Sequence, residues 1–249
     1  MTVVLVGVGA DEEHLRPAPS IGPDGRYEYI PIPETWSTSE DRTYGTLPLT
    51  HQEGVASDIV ERIRPKGEGD KWITDPKEIA SHPVHYDPDF SAQTFGDRKG
   101  GGGTGGVLAR ELSSGDILGF YTGLRGNDSN LNRYIYGYFT VASVNDLSEY
   151  DNGEYREQLR AFLSNAHAKR LEGDGTAKHD DLVIVDGKSP SNQLDQPVQI
   201  SKRLDKAPWY QLTSDFVNEF NVTNGQVAVS RKPALTLNIS NSEFISKLE

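Results

Sequence analysis

The strongest constraint on the fold is a pair of β-patterned runs in the middle of the chain. "GDILGFYTGL" (115–124) is entered by a Gly-Asp turn, and "RYIYGYFTVASV" (133–144) is longer, aromatic and β-branched. Such residues fit a pleated, half-buried surface. The link between them, "RGNDSNLN", is polar and turn-prone. Alternate residues of a strand face opposite sides, so Tyr134, Tyr136 and Tyr138 are expected on one face and Phe139 and Val141 on the other. Exposed aromatics of this kind stack on bases, which makes Tyr121 and Tyr136 candidate substrate contacts beside Arg133.

Further elements surround this pair. "TVVLVGVG" is a continuous apolar run that reads as a buried first strand. In "SIGPDGRYEYIPIPE", Pro23-Asp24-Gly25 is a turn, because proline presets φ and glycine supplies the positive one. "RYEYIPI" then alternates like a strand, stopped by Pro31 and Pro33. Ser20 and Asp24 beside this turn are candidate grips for a base or ribose, or simply hairpin residues. Val55, Ile59, Val60 and Ile63 have helical spacing within 51–64, and Pro65 ends that pattern. Residues 66–106 read mostly as loop, with "KGGGGTGG" (99–106) as a flexible connection that lacks the GK[ST] ending of a phosphate loop. Residues 154–170 form the best helical pattern, with Tyr155, Leu159, Phe162 and Leu163 on one stripe and His167 inward in its carboxyl-terminal half. "DDLVIVDG", "QPVQIS", "QVAVS" and "ALTLNIS" read as short strands, and "PWYQLTSDFVNEF" as a short helix with a Trp anchor. The expected architecture is one α+β domain over 1–249. Its core is a curved mixed sheet or partial β-barrel flanked by a few helices.

Composition limits the partners. There is no cysteine, so thiol nucleophiles and zinc thiolate sites are excluded, and any metal needs histidine and carboxylate ligands. The net charge is −12, with 37 acidic against 25 basic residues, which disfavours a long duplex footprint. A mononucleotide, a flipped base or a protein partner fits better, with DNA contacted at most locally. The 11 lysines against 14 arginines and 20 aspartates suit a salt-loving, archaeal host. The first residues carry no basic leader, and no run reaches about 18 apolar residues, so a cytoplasmic protein with no membrane partner is expected.

The densest chemistry lies in "HPVHYDPDF" (82–90). His85 and Asp87 form a His-x-Asp pair, the arrangement that supplies two of the three facial ligands of non-haem iron sites. The third ligand is then His167 or His179, the metal iron or manganese, and Arg203 or Arg231 the grip for a 2-oxoglutarate co-substrate. Two other readings stand beside it. Asp87 or Asp89 works with His85 as a metal-free acid/base pair. Alternatively, "DPD" caps a turn and His85 bonds the backbone. In "SNAHAKR", Asn165 and His167 lie two apart and do not share a helical face.

In this order, "PSIGPDGRYEYIPIP", "HYDPD", "GDILGFYTGL", "RYIYGYFTVASV" and "SNAHAKR" resemble the motifs of the third nucleotide-modification-associated domain family, over roughly residues 3–212. The family's Asn-Pro-His motif is Asn165-Ala166-His167 here, and "GADEEHLRPAP" replaces its Asp-Ser-Ser-like stretch. Carried over by position, the motif residues are Pro19, Ser20, Asp24, Gly25, His85, Asp87, Asp89, Asp116, Arg133, Asn165 and His167. The resemblance implies a protein that acts on or recognises a base or nucleotide in a DNA modification or defence system. It also implies that His85, Asp87, Asp89, Asn165 and His167 converge. A non-catalytic modified-base reader and an interaction subunit of a modification or restriction complex are the alternatives. "GDILGFY" followed by "YGYFTVASV" is also similar to the strand pair of PUA-like folds, which receive flipped bases.

Overall fold

In a computed structural model, residues 1–65, 71–100, 103–126, 130–174, 181–206, 210–222 and 234–249 are described. The amino-terminal half contains β1 (Val3–Gly7), β2 (Leu15–Arg16), β3 (Ile32–Pro33), β4 (Arg62–Ile63), α1 (Pro76–Ser81), β5 (Val84–His85), β6 (Thr94–Arg98) and α2 (Gly105–Glu111). The remainder contains β7 (Ile117–Arg125), β8 (Leu131–Asp146), α3 (Asn152–Ala161), α4 (Ala166–Asp174) and β9 (Leu182–Gln199). After these come β10 (Ser201–Arg203), β11 (Tyr210–Leu212), α5 (Ser214–Glu219), β12 (Ala234–Leu237) and α6 (Asn241–Leu248).

Six strands form one mixed, curled half-barrel sheet in the order β12-β1-β7-β8-β9-β6. Only β1 and β7 are parallel, in register from Val3↔Ile117 to Gly7↔Tyr121. The continuous apolar run of β1 follows from burial on both faces. Val3 and Leu5 pack with Phe216, Phe220 and Phe244 of α5 and α6, whereas Val4 and Val6 pack with Tyr29, Phe120 and Phe139. The curl has a local cause. β8 and β9 are long, and their pairing slips between Ile135 and Gly137, between Tyr138 and Thr140, and between Val141 and Ser143. Such bulges bend a strand and increase its twist.

The bulge also corrects the expected faces of β8. Phe120 pairs with Gly137 but Tyr121 with Ile135, which leaves Tyr136 as the extra residue. Beyond it the alternation changes phase. Tyr134 and Tyr136 therefore share a cluster with Phe139 and Val141, while Tyr138 joins Ile135 on the other side.

Other elements differ from the sequence expectation. Residues 51–64 do not form a helix: Ala56–Asp58 is a single 3₁₀ turn and Ile63 pairs with Leu15. Gly54 at φ +116° stops helical propagation before that turn, and the Asp58 carboxylate accepts the Val55 N–H. The supposed loop 66–106 contains α1, whose start is an Asp75 cap followed by Pro76. Gly105 and Gly106 form the first turn of α2, and Thr104 before them bonds Asp97 through both N–H and hydroxyl. "LVIVDG" (182–187) and most of "QPVQIS" belong to one strand, β9. "RYEYIPI" is extended chain with a bridge at Tyr27 and a strand only at Ile32–Pro33. "PWYQLTSDFVNEF" yields β11 before α5. The "QVAVS" strand and the Trp209 anchor lie outside the described residues. The turn at Pro23-Asp24-Gly25 is present, with Gly25 at φ +82°. Among the described residues, no helix is long and apolar enough to cross a membrane.

Candidate functional site

The site is assembled where β3 and β5 run antiparallel, with Ile32 opposite His85. Glu34 follows the first strand and Asp87 the second. The chain then reverses through paired backbone bonds between Asp89 and Thr94 (2.9 and 3.1 Å), which brings β6 back alongside the loop. The Gly96 N–H donates to Asp87 Oδ2 at 2.9 Å. Glycine is required at that point, because a Cβ there would lie 2.7 Å from Asn165 Oδ1.

Asn165 explains why the helical pattern 154–170 breaks into α3 and α4. Its Oδ1 accepts the His167 N–H at 3.0 Å, so it caps a new helix instead of continuing the old one. Two residues apart in one helix would point Asn165 and His167 in different directions. As a cap and a first-turn residue, both face Asp87. Asn165 Nδ2 donates to Asp87 Oδ1 at 3.4 Å, and His167 Nε2 lies 3.7 Å from Asp87 Oδ2. His167 therefore stands at the amino end of α4, not in the carboxyl-terminal half of a longer helix. The His85 and His167 rings meet edge to face at 4.7 Å. One donor atom each from His85, Asp87 and His167 lies within 4.8 Å of the other two.

A second layer holds this trio. Glu34 Oε2 accepts from His85 Nδ1 at 3.1 Å, and Arg170 Nε donates to both Glu34 oxygens at 2.8 and 2.7 Å. Burial works to raise the Glu34 pKa, but the His85 hydrogen bond and the Arg170 charge win and hold it at about 2. Glu34 is thus an anion at neutral pH and can only accept. Burial, reinforced by the Arg170 charge, lowers the His85 pKa, so the ring is neutral. Together these place the His85 proton on Nδ1 and the lone pair on Nε2. Burial pushes Asp87 well above the ordinary carboxylate range, with the nearby Asp97 charge adding to the rise. Lys169 bonds Glu40 at 2.7 Å, so α4 is moored to the 34–42 segment by two adjacent ion pairs.

The trio opens into a cavity of about 290 Å³, also lined by Gly7, Gly9, His14, Asp97 and Arg170. The glycines at the end of β1 let the chain pass close to Tyr121 and Tyr29. Three positions lining or supporting this site, Glu34, Gly96 and Arg170, were not singled out from sequence. Arg170 had a usable signal, since it lies three residues after His167 and so on the same helical face. Glu34 and Gly96 had none, because their roles depend on long-range pairing.

Other expected site residues lie elsewhere. Asp89 is buried but turned away, with Oδ1 capping the Ser91 and Ala92 amides and Oδ2 meeting Arg42 at 3.1 Å. Tyr121 and Tyr136 are core residues, and Tyr136 stacks on Tyr29 at 4.7 Å. The Tyr29 hydroxyl in turn donates to the Asp87 carbonyl at 2.9 Å, so these rings form the floor beneath the loop. Asp24 is exposed at its turn, and Ser20 lines a separate cavity of about 200 Å³ beside Pro19. Asp116 accepts from Thr2 and Ser113 as a turn residue. Arg133 and Arg203 line another cavity, where Arg133 meets Asp11 and Tyr210, and Arg203 meets Glu12. His179 and Arg231 are outside the described residues.

A curled α+β half-barrel with a histidine–carboxylate cluster beside its edge strand β6 is the class that fold and geometry define. The chain belongs to the family described as nucleotide modification associated domain 3, which matches residues 2–247, nearly the whole chain. It is accordingly a nucleotide-modification-associated protein. No curated protein and no solved structure matches it.

Proposed function

We propose that His85, Asp87 and His167 hold a divalent metal ion, iron or manganese, and that the chain uses it in a reaction on a base or nucleotide within a DNA modification or defence system. The observation that supports this is the convergence of two imidazoles and one carboxylate from a His-x-Asp pair and a distant histidine. Facial ligand atoms that share an ion at about 2.0–2.2 Å are roughly 3 Å apart, so the trio, whose donor atoms lie within 4.8 Å of one another, has to draw in around the ion. The donor chemistry fits as well. His85 is neutral with its proton directed to Glu34, the carboxylate–histidine pairing that orients metal-bound imidazoles. A bound divalent ion supplies Lewis acidity at its open positions. The chain's own groups do the rest: Glu34 fixes the His85 tautomer, Asn165 and Gly96 aim the two Asp87 oxygens, and Arg170 lines the cavity with positive charge.

A second reading draws on the raised pKa of Asp87. A carboxyl kept protonated by burial is a ready general acid, with no ion required. Burial of Tyr121 and Tyr136 weighs against a reader pocket on the tyrosine face. The experiment is incubation of manganese- or iron-loaded protein with nucleotides and short oligodeoxynucleotides, with products read by mass. A new product that disappears in the His85→Ala/Asp87→Asn double variant supports the site. A product formed at an unchanged rate places the chemistry elsewhere. Saturable binding that survives His85→Ala, with no product, favours the reader.

A further inference from the structure

The larger cavity of about 490 Å³ lies on the other side of the segment that follows β1. Its distinctive feature is the Trp72 indole in its lining, on which Arg16 and Arg64 of the cavity and the adjacent Arg62 are gathered. Arg16, Arg62 and Arg64 place their guanidinium carbons 5.4, 5.5 and 5.3 Å from the Trp72 ring centroid.

The backbone puts them there. In the β2–β4 pair, Leu15 is opposite Ile63 and Arg16 is opposite Arg62. Arg64 is two residues beyond Arg62 and shares its face. Ile73 bridges Ile63, which sets Trp72 on that same face. Leu15 and Ile63 point the other way, into a buried cluster. The alternation therefore sorts apolar groups inward and three cations outward.

This arrangement works against stability. Like charges directly opposite on paired strands repel. The cavity's other arginines are neutralised internally: Asp11 meets Arg133, and Glu12 meets Arg203. Among the described residues, no carboxylate pairs with Arg16, Arg62 or Arg64. In a chain of net charge −12, a concentrated triplet of this kind suits an anionic ligand.

We propose that Arg16, Arg62 and Arg64 bind the phosphates of a single nucleic acid strand. The choice of strand rests on the reading above that the cluster at His85 acts on a base. The two cavities share a wall. His14 lines the histidine cavity, its carbonyl accepts the Arg64 N–H at 2.7 Å, and its ring bonds Asp11 of the arginine cavity. A strand with a base in the histidine cavity would pass the His14 wall on its way to the arginines. Three short-strand arginines make a footprint of a few phosphates, too small for a duplex-wide grip but sufficient for a strand threaded between two cavities.

The test is fluorescence anisotropy of a labelled ten-nucleotide thymidine strand, across a salt series, with the full chain. The Arg16→Gln/Arg62→Gln variant should bind at least about 10-fold more weakly. Its log–log salt slope should fall by roughly 1.4, about 0.7 for each lost phosphate contact. Its melting temperature should hold or rise, because a repulsive pair is gone. Unchanged affinity and slope would overturn the proposal. So would a nucleoside triphosphate that binds more tightly than the strand and loses the same affinity in the variant, because one nucleotide's phosphates would then account for the cluster. Chelator-treated wild-type protein should bind the strand as before. The strand site therefore stands or falls separately from the metal.

Discussion

The loop from Tyr86 to Phe90 and the strand from Arg133 to Phe139 lie close together and are equally rich in functional side chains, yet they serve different ends. In the loop, Asp87 is directed at a cavity and held by groups from two other elements, Gly96 of β6 and Asn165 before α4. In the strand, the bulge at Tyr136 directs Tyr134 and Tyr136 into the same apolar cluster as Phe139. The loop spends stability, since it buries a carboxyl that burial makes hard to ionise. The strand supplies it. The contact between them is the Tyr29 ring, stacked on Tyr136 and bonded through its hydroxyl to the Asp87 carbonyl. The proposed site is carried on short connections that an aromatic floor positions.

This contrast makes graded predictions. The largest effect belongs to the floor. Tyr136→Ala opens a cavity in a fully buried stack and should cost about 3–5 kcal/mol in chemical denaturation. Under conditions where that variant is folded, it should still bind one metal ion per chain. Loss of metal from a folded Tyr136→Ala protein would erase the distinction between floor and site.

Glu34→Gln should act the other way. It keeps the shape but removes the anion that orients His85, and metal affinity by titration calorimetry should fall about 10–100-fold. An unchanged affinity would mean that the His85 tautomer is fixed by something other than Glu34.

The smallest effect is a pH dependence. Burial acts to raise Glu34 and Glu40, but the His85 and Arg170 contacts on one, and the Arg42 and Lys169 contacts on the other, hold each at about 2. A carboxylate depressed from its ordinary value of 4.5 contributes stability that is fully present above that value and lost as pH falls toward 2. Both anions moor α4, which carries His167. Amide exchange in α4, taken relative to the intrinsic rate at each pH, should therefore accelerate between pH 4.5 and 2, ahead of exchange in β1 and β7. Uniform acceleration across α4 and these strands would show that the mooring is not local.

What could be read in the sequence followed the range of the forces. The unbroken apolar run of β1 and the aromatic β7–β8 pair declare themselves through local pattern. So does the Pro23-Asp24-Gly25 turn, because only glycine takes its positive φ easily. The spacing of Val55, Ile59, Val60 and Ile63 misled because Val60 and Ile63 are buried in a cluster gathered from distant parts of the chain, with Leu15 opposite Ile63. The split between α3 and α4 was hidden because Asn165 is equally readable as a mid-helix residue until Gly96 and Asp87 come to meet it. A His-x-Asp pair and a remote histidine were legible in the sequence, and the structure brings His85, Asp87 and His167 together. Asp89 looked equivalent to Asp87, and only the reversal of the chain at Thr94 separates them. Arg133 lines the other cavity, against Asp11 and Tyr210, a separation from the His85 trio that only the folded chain makes visible.

The central claim is that His85, Asp87 and His167 form a metal centre, and elemental mass spectrometry of purified protein tests it most directly. Protein purified as it is, protein soaked in iron, and a His85→Ala control are compared. The account predicts close to one iron or manganese per chain in the first two and its loss in the variant. No metal in either wild-type sample, or equal metal in the His85→Ala protein, would contradict it and leave the buried Asp87 carboxyl as the group on which any chemistry turns.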